Sequence, residues 1–139
     1  MTDAKTDLKS MLKDPSLLET RAFIGGKWTD GDDGTFDVTN PARGDVVAKV
    51  ADLSRAQVAG AIAQAEAAQK EWAAWTGKER AGVLLKVAEL IEANVERISL
   101  LETLESGKPI SQSRGEVGGA ADLWRYAASL ARTSHGDSH

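Results

Sequence analysis

The stretch "LLETLESGKPISQSRGEV", residues 100–117, decides how this chain is organised, because one helical pattern ends inside it and another begins. Gly107 followed by Pro109 is the usual stop signal at a helix C-terminus. A Gly-Lys pair also occurs in phosphate-binding loops, but that motif needs a glycine five positions before Gly107 and a hydroxyl residue after Lys108. Glu102 and Pro109 occupy those positions. The stretch therefore predicts a helix end capped by Gly107.

Helical periodicity extends in both directions from this stretch. Ser54 with Gln57 and Thr76 with Glu79 are capping boxes that predict two helix starts, and Asn94 is the predicted cap of a third helix. A fourth helix is expected from Ser111 to Arg132. The faces predicted to be buried are Val58, Ile62, Ala65, Ala68, Trp72 and Trp75; Leu84, Leu85, Ala88 and Ile91; Ile98, Leu101 and Leu104; and Val117, Ala121, Trp124, Ala128 and Ala131.

Strand patterns precede the helices. "AFIGGKW" at 22–28 has the Gly-Gly pair that a two-residue hairpin turn requires, and Phe36 alternates with Val38 before the valines of residues 46–50. Residues 1–20 form a polar segment in which Leu8, Met11 and Leu12 predict a short helix. The fold class expected is α+β, with about four short strands in hairpins followed by about four helices.

Composition limits the classes of function. The 139 residues suffice for one domain, and 42% apolar with 27% charged residues is typical of a globular protein. The net charge of −4 and the scattered basic residues argue against nucleic-acid binding, and no apolar run is long enough for a membrane span. There is no Cys and no secretory signal pattern, so the expected location is cytoplasmic.

Several short motifs have structural interpretations that we favour. The glycines Gly115, Gly118 and Gly119 are out of register for a dinucleotide fingerprint, and we interpret them as allowing close approach of another element. The aspartates of "TDGDDG" (29–34) lack the later positions of a calcium loop and predict a solvated turn. The histidines His135 and His139 are four residues apart, but no third ligand for a metal ion is evident. The Arg-Gly-Asp tripeptide at 43–45 is typical of a turn. The carboxylates of Glu102 and Glu105 fit a solvated helix surface. No catalytic constellation emerges.

Four segments in order nevertheless resemble one family: "FIGGKW" (23–28), "DVTNPARGDVVAKV" (37–50), "EWAAWTGKERAGVLLKVAELIE" (71–92) and "LETLESGKPISQSRGEV" (101–117). Together they are similar to the N-terminal portion of NAD(P)-dependent aldehyde dehydrogenases, of the succinate-semialdehyde and betaine-aldehyde kind. The resemblance covers residues 20–137. It implies the α/β fold of that family, with residues 21–139 as the N-terminal part of its coenzyme-binding domain, truncated near the first oligomerisation strand.

The resemblance also implies an activity. Members oxidise a small aldehyde with NAD or NADP, through a Cys thiolate that attacks the aldehyde and a Glu that activates water, and the full-length enzyme is expected to be a homo-oligomer. This chain has no Cys, and no catalytic or cofactor-binding residue of the family is matched in it. Neither coenzyme is expected to bind tightly to this chain alone.

One family site can be transferred by residue. Several members hold a monovalent cation on main-chain carbonyls, and the matching positions here are Val38, Thr39 and Glu105. Oxygen-only ligation suits a hard cation. Ordinary packing of a loop against a helix is the alternative at these positions.

Two hypotheses of different classes follow. In the first, the chain is the N-terminal portion of an aldehyde dehydrogenase, inactive by itself, which predicts apolar helix surface left exposed. In the second, it is a stand-alone helical interaction module that associates with dehydrogenase subunits. The second predicts cooperative unfolding without a partner.

Overall fold

The computed structural model describes residues 11–12 and 18–133. Most of the helix predicted around Leu8 lies outside those residues, and the pair His135 and His139 lies wholly outside them. Within the described part of the chain, no helix is both long and apolar enough to cross a membrane.

The first two strands form the predicted hairpin. Strand β1 (Ala22–Ile24) pairs antiparallel with β2 (Lys27–Thr29), and the turn between them is Gly25 and Gly26, with φ of 58° and 78°. Two consecutive positive φ values are what a type I′ turn demands, which explains the Gly-Gly pair. Phe23 lies opposite Trp28, with ring centroids 4.8 Å apart.

The second hairpin joins β3 (Thr35–Thr39) to β4 (Val46–Ala51), again antiparallel. The register shifts between Val38, which pairs with Ala48, and Thr39, which pairs with Val46. Val47 is therefore the extra residue of a β-bulge, which locally disrupts the hydrogen-bond ladder. The prediction of about four short strands is confirmed, and they form two separate two-stranded sheets.

Four helices follow, with bounds close to those predicted. They are α1 (Arg55–Ala74), α2 (Gly77–Ala93), α3 (Val95–Ser106) and α4 (Ile110–Thr133). Both capping boxes are present: the Gln57 amide N–H donates to Ser54 Oγ at 3.2 Å, and the Glu79 amide N–H donates to Thr76 Oγ1 at 3.3 Å. Glu79 Oε2 accepts from the Thr76 amide N–H in return.

Asn94 is at the predicted helix junction and makes hydrogen bonds to the helices on both sides of it. Its Nδ2 donates to the Leu90 carbonyl at 2.8 Å, and its Oδ1 accepts from the Arg97 guanidinium at 2.7 Å. It is the only residue between α2 and α3. Its side chain therefore contacts both helices, and its carbonyl accepts from the Ile98 amide at 3.0 Å, so Asn94 lies at the start of α3 as predicted and also at the end of α2.

The described residues divide into two compact units, one of residues up to 68 with 102–107, the other of 69–101 with 108 onward. In the second unit, α2 packs along α4. The buried side chains of the pair are small: Ala81 and Ala88 on α2, and Ser113, Val117, Ala121 and Ala128 on α4. Small residues let two helix backbones lie close together, which explains the alanines on the facing stripes.

Helix α1 corrects the predicted burial. None of its described residues is buried, and Val58 and Ile62 are 43% and 64% exposed. Trp75 and Trp124, also predicted to be core residues, are each 38% exposed. Helical spacing identifies which side is apolar, but burial requires a partner surface that local sequence does not specify.

Ser99 on α3 is fully buried, and its Oγ has no hydrogen-bond partner in the described part of the chain. A buried unsatisfied hydroxyl carries a desolvation cost. We expect Ser99→Ala to raise the free energy of unfolding by about 1 kcal/mol, measured by urea denaturation. The control Ser129→Ala changes an exposed hydroxyl that donates to the Tyr126 carbonyl, and it should change stability by no more than about 0.5 kcal/mol. Destabilisation by Ser99→Ala would contradict this account.

An ion pair joins α2 to α4 where Arg125 contacts Glu92 at 2.5 Å. The hydrogen bond from Arg125 lowers the pKa of the Glu92 carboxyl below its ordinary value. A lowered pKa in the folded state stabilises the protein above the ordinary value, and that contribution disappears as pH falls through the lowered one. We expect Glu92→Gln to reduce stability at neutral pH, and urea titrations should show the difference from wild type vanishing in strong acid. A difference between Glu92→Gln and wild type that stays the same in strong acid would contradict the pairing of Glu92 with Arg125.

Candidate functional site

The stretch 100–117 forms a helix end, as predicted. Helix α3 stops at Ser106, and Gly107 takes φ of 76° while its amide N–H donates to the Thr103 carbonyl at 2.9 Å. The Pro109 carbonyl accepts from the Gln112 and Ser113 amides and so starts α4. Lys108 pairs with Glu116 at 2.5 Å. The Lys108 ammonium group is thus paired with a carboxylate of α4, which supports the helix-end interpretation over a phosphate loop.

The residues of the candidate cation site lie at the ends of two elements. Val38 and Thr39 are the last residues of β3, at the register shift, and Glu105 is in the last turn of α3. The turn after Thr39 contacts the end of α3, since a Cβ added to Gly107 would lie 2.8 Å from Cγ of Pro41. The structure therefore places Pro41 against Gly107. Pro41 is two residues after Thr39, and Gly107 is two residues after Glu105.

The Asn40 turn is held by its own backbone. Asn40 is 6% exposed, its amide N–H donates to the Asp45 carbonyl at 2.8 Å, and its carbonyl accepts from the Gly44 amide at 2.7 Å. Its side-chain Oδ1 accepts from the Ala42 amide at 2.9 Å. The Arg43 amide also donates to the Asn40 carbonyl, at 3.3 Å, and the Arg43 side chain pairs with Asp45 at 3.1 Å, so the Arg-Gly-Asp tripeptide begins in this turn. The turn interpretation of this tripeptide is supported.

The glycines of α4 do not make the close contact predicted for them. A Cβ added to Gly115, Gly118 or Gly119 would meet no described atom within 4 Å. They lie away from the packed stripe that contains Val117 and Ala121. Their helical register therefore places them on surface that α2 does not cover.

Gln57 is a structural residue that sequence reasoning recognised only in part. Besides completing the capping box, its Oε1 accepts from the Asp32 amide at 2.9 Å, and its Nε2 donates to the Asp30 carbonyl at 2.9 Å. The aspartate-rich loop is therefore fastened by its backbone to the start of α1.

The described residues contain no group of three or more His, Cys, Asp or Glu that could hold a metal ion.

An open groove of about 400 Å³ lies between the first hairpin and α1. Its polar walls come from Lys27, Thr29, Gln57 and Gln64, with Ile24 and Gly60 as apolar lining. Gln57 is already committed to the aspartate loop. These groups provide no nucleophile paired with a base, so the groove has no catalytic geometry.

Shifted pKa values occur at surface pairs and caps. Arg21 lowers the pKa of Glu19 to about 2 through a side-chain hydrogen bond, and the Thr76 hydroxyl lowers the pKa of Glu79 in the capping box. Arg114 has its pKa raised by Glu96, which it contacts at 2.7 Å across α3 and α4. Each shift has a structural cause in these exposed partners. Among the described residues, these shifted pKa values therefore belong to surface ion pairs and a helix cap. They do not indicate an acid–base pair for catalysis.

Comparison with known proteins assigns the architecture. Residues 28–139 match the model of the aldehyde dehydrogenase family. The chain is 41% identical over 128 residues to 3-sulfolactaldehyde dehydrogenase of Pseudomonas putida, covering 91% of this chain and 26% of that enzyme. It is 35% identical, over the same share of the chain and 27% of the relative, to the NADP-dependent succinate-semialdehyde dehydrogenase of Escherichia coli. The chain spans about a quarter of the length of the relatives that it matches.

The fold agrees with the sequence match. The crystal structure of an aldehyde dehydrogenase from Brucella melitensis biovar abortus 2308 superposes with a TM-score of 0.87 at 46% identity, over 91% of this chain and 26% of that one. The two hairpins and four helices thus correspond to an α+β portion of the aldehyde dehydrogenase fold. The chain belongs to the aldehyde dehydrogenase family.

Proposed function

We propose that this chain is the N-terminal portion of an NAD(P)-dependent enzyme that oxidises an aldehyde to a carboxylic acid, and that it is inactive by itself. The single observation that carries the proposal is the family match over residues 28–139 with coverage of about a quarter of each relative. The relatives named above act on 3-sulfolactaldehyde and succinate semialdehyde. A small aldehyde with an acidic group at its far end is therefore the substrate class we propose.

Under this proposal the chemistry comes from residues outside this sequence. The family resemblance implies a Cys thiolate as nucleophile, and this chain contains no Cys. NAD or NADP would accept the hydride when bound to the whole enzyme. The role we assign to the chain is structural: residues 21–139, after the polar segment 1–20, would be the N-terminal part of the coenzyme-binding domain.

The surface of α4 supports this role. On the side opposite the stripe that packs on α2, Leu123, Tyr126 and Leu130 are 69%, 62% and 49% exposed. Their spacing of three and four residues aligns them in one apolar stripe along the helix. A helix with apolar stripes on two opposite sides is suited to lie between two layers of protein. The exposed apolar helix surface expected from the first hypothesis is therefore present.

Complementation tests the proposal. The purified chain would be mixed with the remaining, C-terminal part of the Escherichia coli relative, and NAD(P)H formation would be followed with succinate semialdehyde and each coenzyme. We expect no turnover from either piece alone and aldehyde-dependent turnover from the mixture. The matched control is the same C-terminal part with its catalytic Cys changed to Ser. Turnover by the isolated chain, which lacks a thiol, would refute the proposed inactivity.

The exposed stripe on α4 also favours a second candidate, the stand-alone helical module that associates with dehydrogenase subunits. The two candidates differ in what the chain does without a partner. A stand-alone module unfolds cooperatively as a defined soluble species and binds intact dehydrogenase. A portion of an enzyme instead associates with the complementary piece and restores turnover.

The monovalent cation site at the carbonyls of Val38, Thr39 and Glu105 belongs to the same proposal. The donor set is consistent with it, because main-chain oxygens suit hard cations and the C-terminus of α3 carries the negative end of the helix dipole. The last carbonyls of any helix also lack intrahelical partners, and Glu105 is among them. A cytoplasmic location and a homo-oligomeric full-length enzyme remain predictions.

A further inference from the structure

Arg80 has a side-chain nitrogen that is buried without a hydrogen-bond partner. It lies in the first turns of α2, its side chain is half-buried, and its Nε meets no acceptor among the described residues. The Ser99 hydroxyl is the only other such side-chain atom in the described part of the chain. A buried donor without an acceptor is costly, and more so when the group is charged. Arg80 therefore lacks the acceptor that its position requires.

The described residues also provide no carboxylate to neutralise Arg80. The adjacent Glu79 is held in the capping box, where its Oε2 accepts from the amide and the hydroxyl of Thr76, each at 2.8 Å. By contrast, Arg114 and Arg125 each pair with a carboxylate. The helix dipole favours negative charge near the N-terminus of α2, where Arg80 places a positive one. The start of α2 is therefore suited to an anionic partner.

A large apolar side chain occupies the adjoining position. Thr76 is the N-cap of α2, so Trp75 precedes the cap and Arg80 is the fourth residue of the helix, two positions that lie side by side at a helix start. Trp75 is partly exposed, and its ring centroid lies 5.3 Å from that of Trp72. Tryptophan and arginine are among the residues that contribute most to binding at protein interfaces. The start of α2 thus has the composition of a docking surface for another protein segment.

We propose that the start of α2, at Trp75 and Arg80, docks the remaining part of the dehydrogenase, and that a carboxylate of that part binds the Arg80 guanidinium. The inference rests on the proposed function, in which the chain forms about a quarter of a longer enzyme. A carboxylate accepts hydrogen bonds from a guanidinium and also neutralises its charge. It therefore supplies both the acceptor and the negative charge that Arg80 lacks.

Arg80→Met tests the isolated chain first. Methionine keeps a flexible apolar side chain but has neither a charge nor a donor. Because the Arg80 donor has no partner in the isolated chain, we expect the urea midpoint of Arg80→Met to equal or exceed that of wild type. The matched control is Arg55→Met, the same change at an exposed position of α1. A midpoint below those of both wild type and Arg55→Met would overturn the proposal, because Arg80 would then have a partner within the chain.

The complex provides the second measurement. The chain is coexpressed with the C-terminal part of the Escherichia coli relative, and dissociation of the purified complex on dilution is followed by light scattering. We expect Arg80→Met to raise the dissociation constant roughly 30-fold or more, the effect of removing one partner of a buried charge pair. Arg55→Met should change it by less than about 3-fold.

Equal dissociation constants for Arg80→Met and wild type would overturn the proposal, as would equal weakening by Arg80→Met and Arg55→Met. Light scattering does not require turnover, so the two proposals fail separately. A complex that depends on Arg80 but does not oxidise the aldehyde contradicts the proposed function alone. An active complex that Arg80→Met leaves unchanged contradicts the docking proposal alone, and failure of wild type to form any complex contradicts both.

Discussion

Gly77→Ala is expected to lower the free energy of unfolding by about 3 kcal/mol, the upper part of the range for forcing extra atoms into a packed site. Gly77 is the first residue of α2, and a Cβ there would lie 2.2 Å from the carbonyl oxygen of Ala131 near the end of α4. The obstructing atom belongs to the backbone, so it cannot rotate away as a flexible side chain would. Urea denaturation followed by circular dichroism measures the change.

Gly82→Ala is the control on the same helix. A Cβ at Gly82 would meet no described atom within 4 Å. Alanine is favoured over glycine inside a helix, so this variant should gain about 0.5–1 kcal/mol. Both substitutions replace glycine with alanine, but their predicted effects on the free energy of unfolding have opposite signs. If both variants lose similar stability, the close approach of α2 to α4 at Gly77 is wrong.

Ala121→Leu is expected to have the next largest effect, a loss of about 2–3 kcal/mol. Ala121 on α4 and Ala88 on α2 are both 0% exposed, in an interface formed by small side chains. A leucine would have to separate the helices or adopt a strained rotamer. The unfolding midpoint in urea reports the loss.

Ala93→Leu provides the comparison for this second change, because Ala93 is exposed on α2. It should alter stability by no more than about 0.5 kcal/mol. A small effect of Ala121→Leu, equal to that of Ala93→Leu, would show that α2 and α4 are not packed as closely as described.

Local sequence predicted the elements well because the signals that start and stop them are local. The Ser54 and Thr76 capping boxes, the Gly25-Gly26 turn and the Gly107 stop each act over a few residues, and each is present in the structure. Asn94 lies at two adjoining helix ends, and local sequence predicted only its place at the start of α3. A hydrogen bond can be made to either helix, and spacing does not choose between them.

Burial and the candidate site depend on contacts between distant segments, which periodicity does not contain. Ile62 and Trp75 lie on apolar helix faces but remain exposed among the described residues. Val38, Thr39 and Glu105 stay a prediction from the family resemblance alone, since main-chain ligands leave no side-chain signature. The contact of Pro41 with Gly107 became evident only from the folded chain.

The lack of buried residues in α1 affects how the chain resists proteases. A helix with no buried residue is maintained by its own hydrogen bonds, and such segments open locally at low free-energy cost. Trypsin should therefore cut at Lys70, exposed on α1, before it reaches the basic residues of the packed α2 and α4 pair. Cleavage at that position would cut the chain between the strand hairpins and α2, and a layer of protein that covers α1 would prevent it.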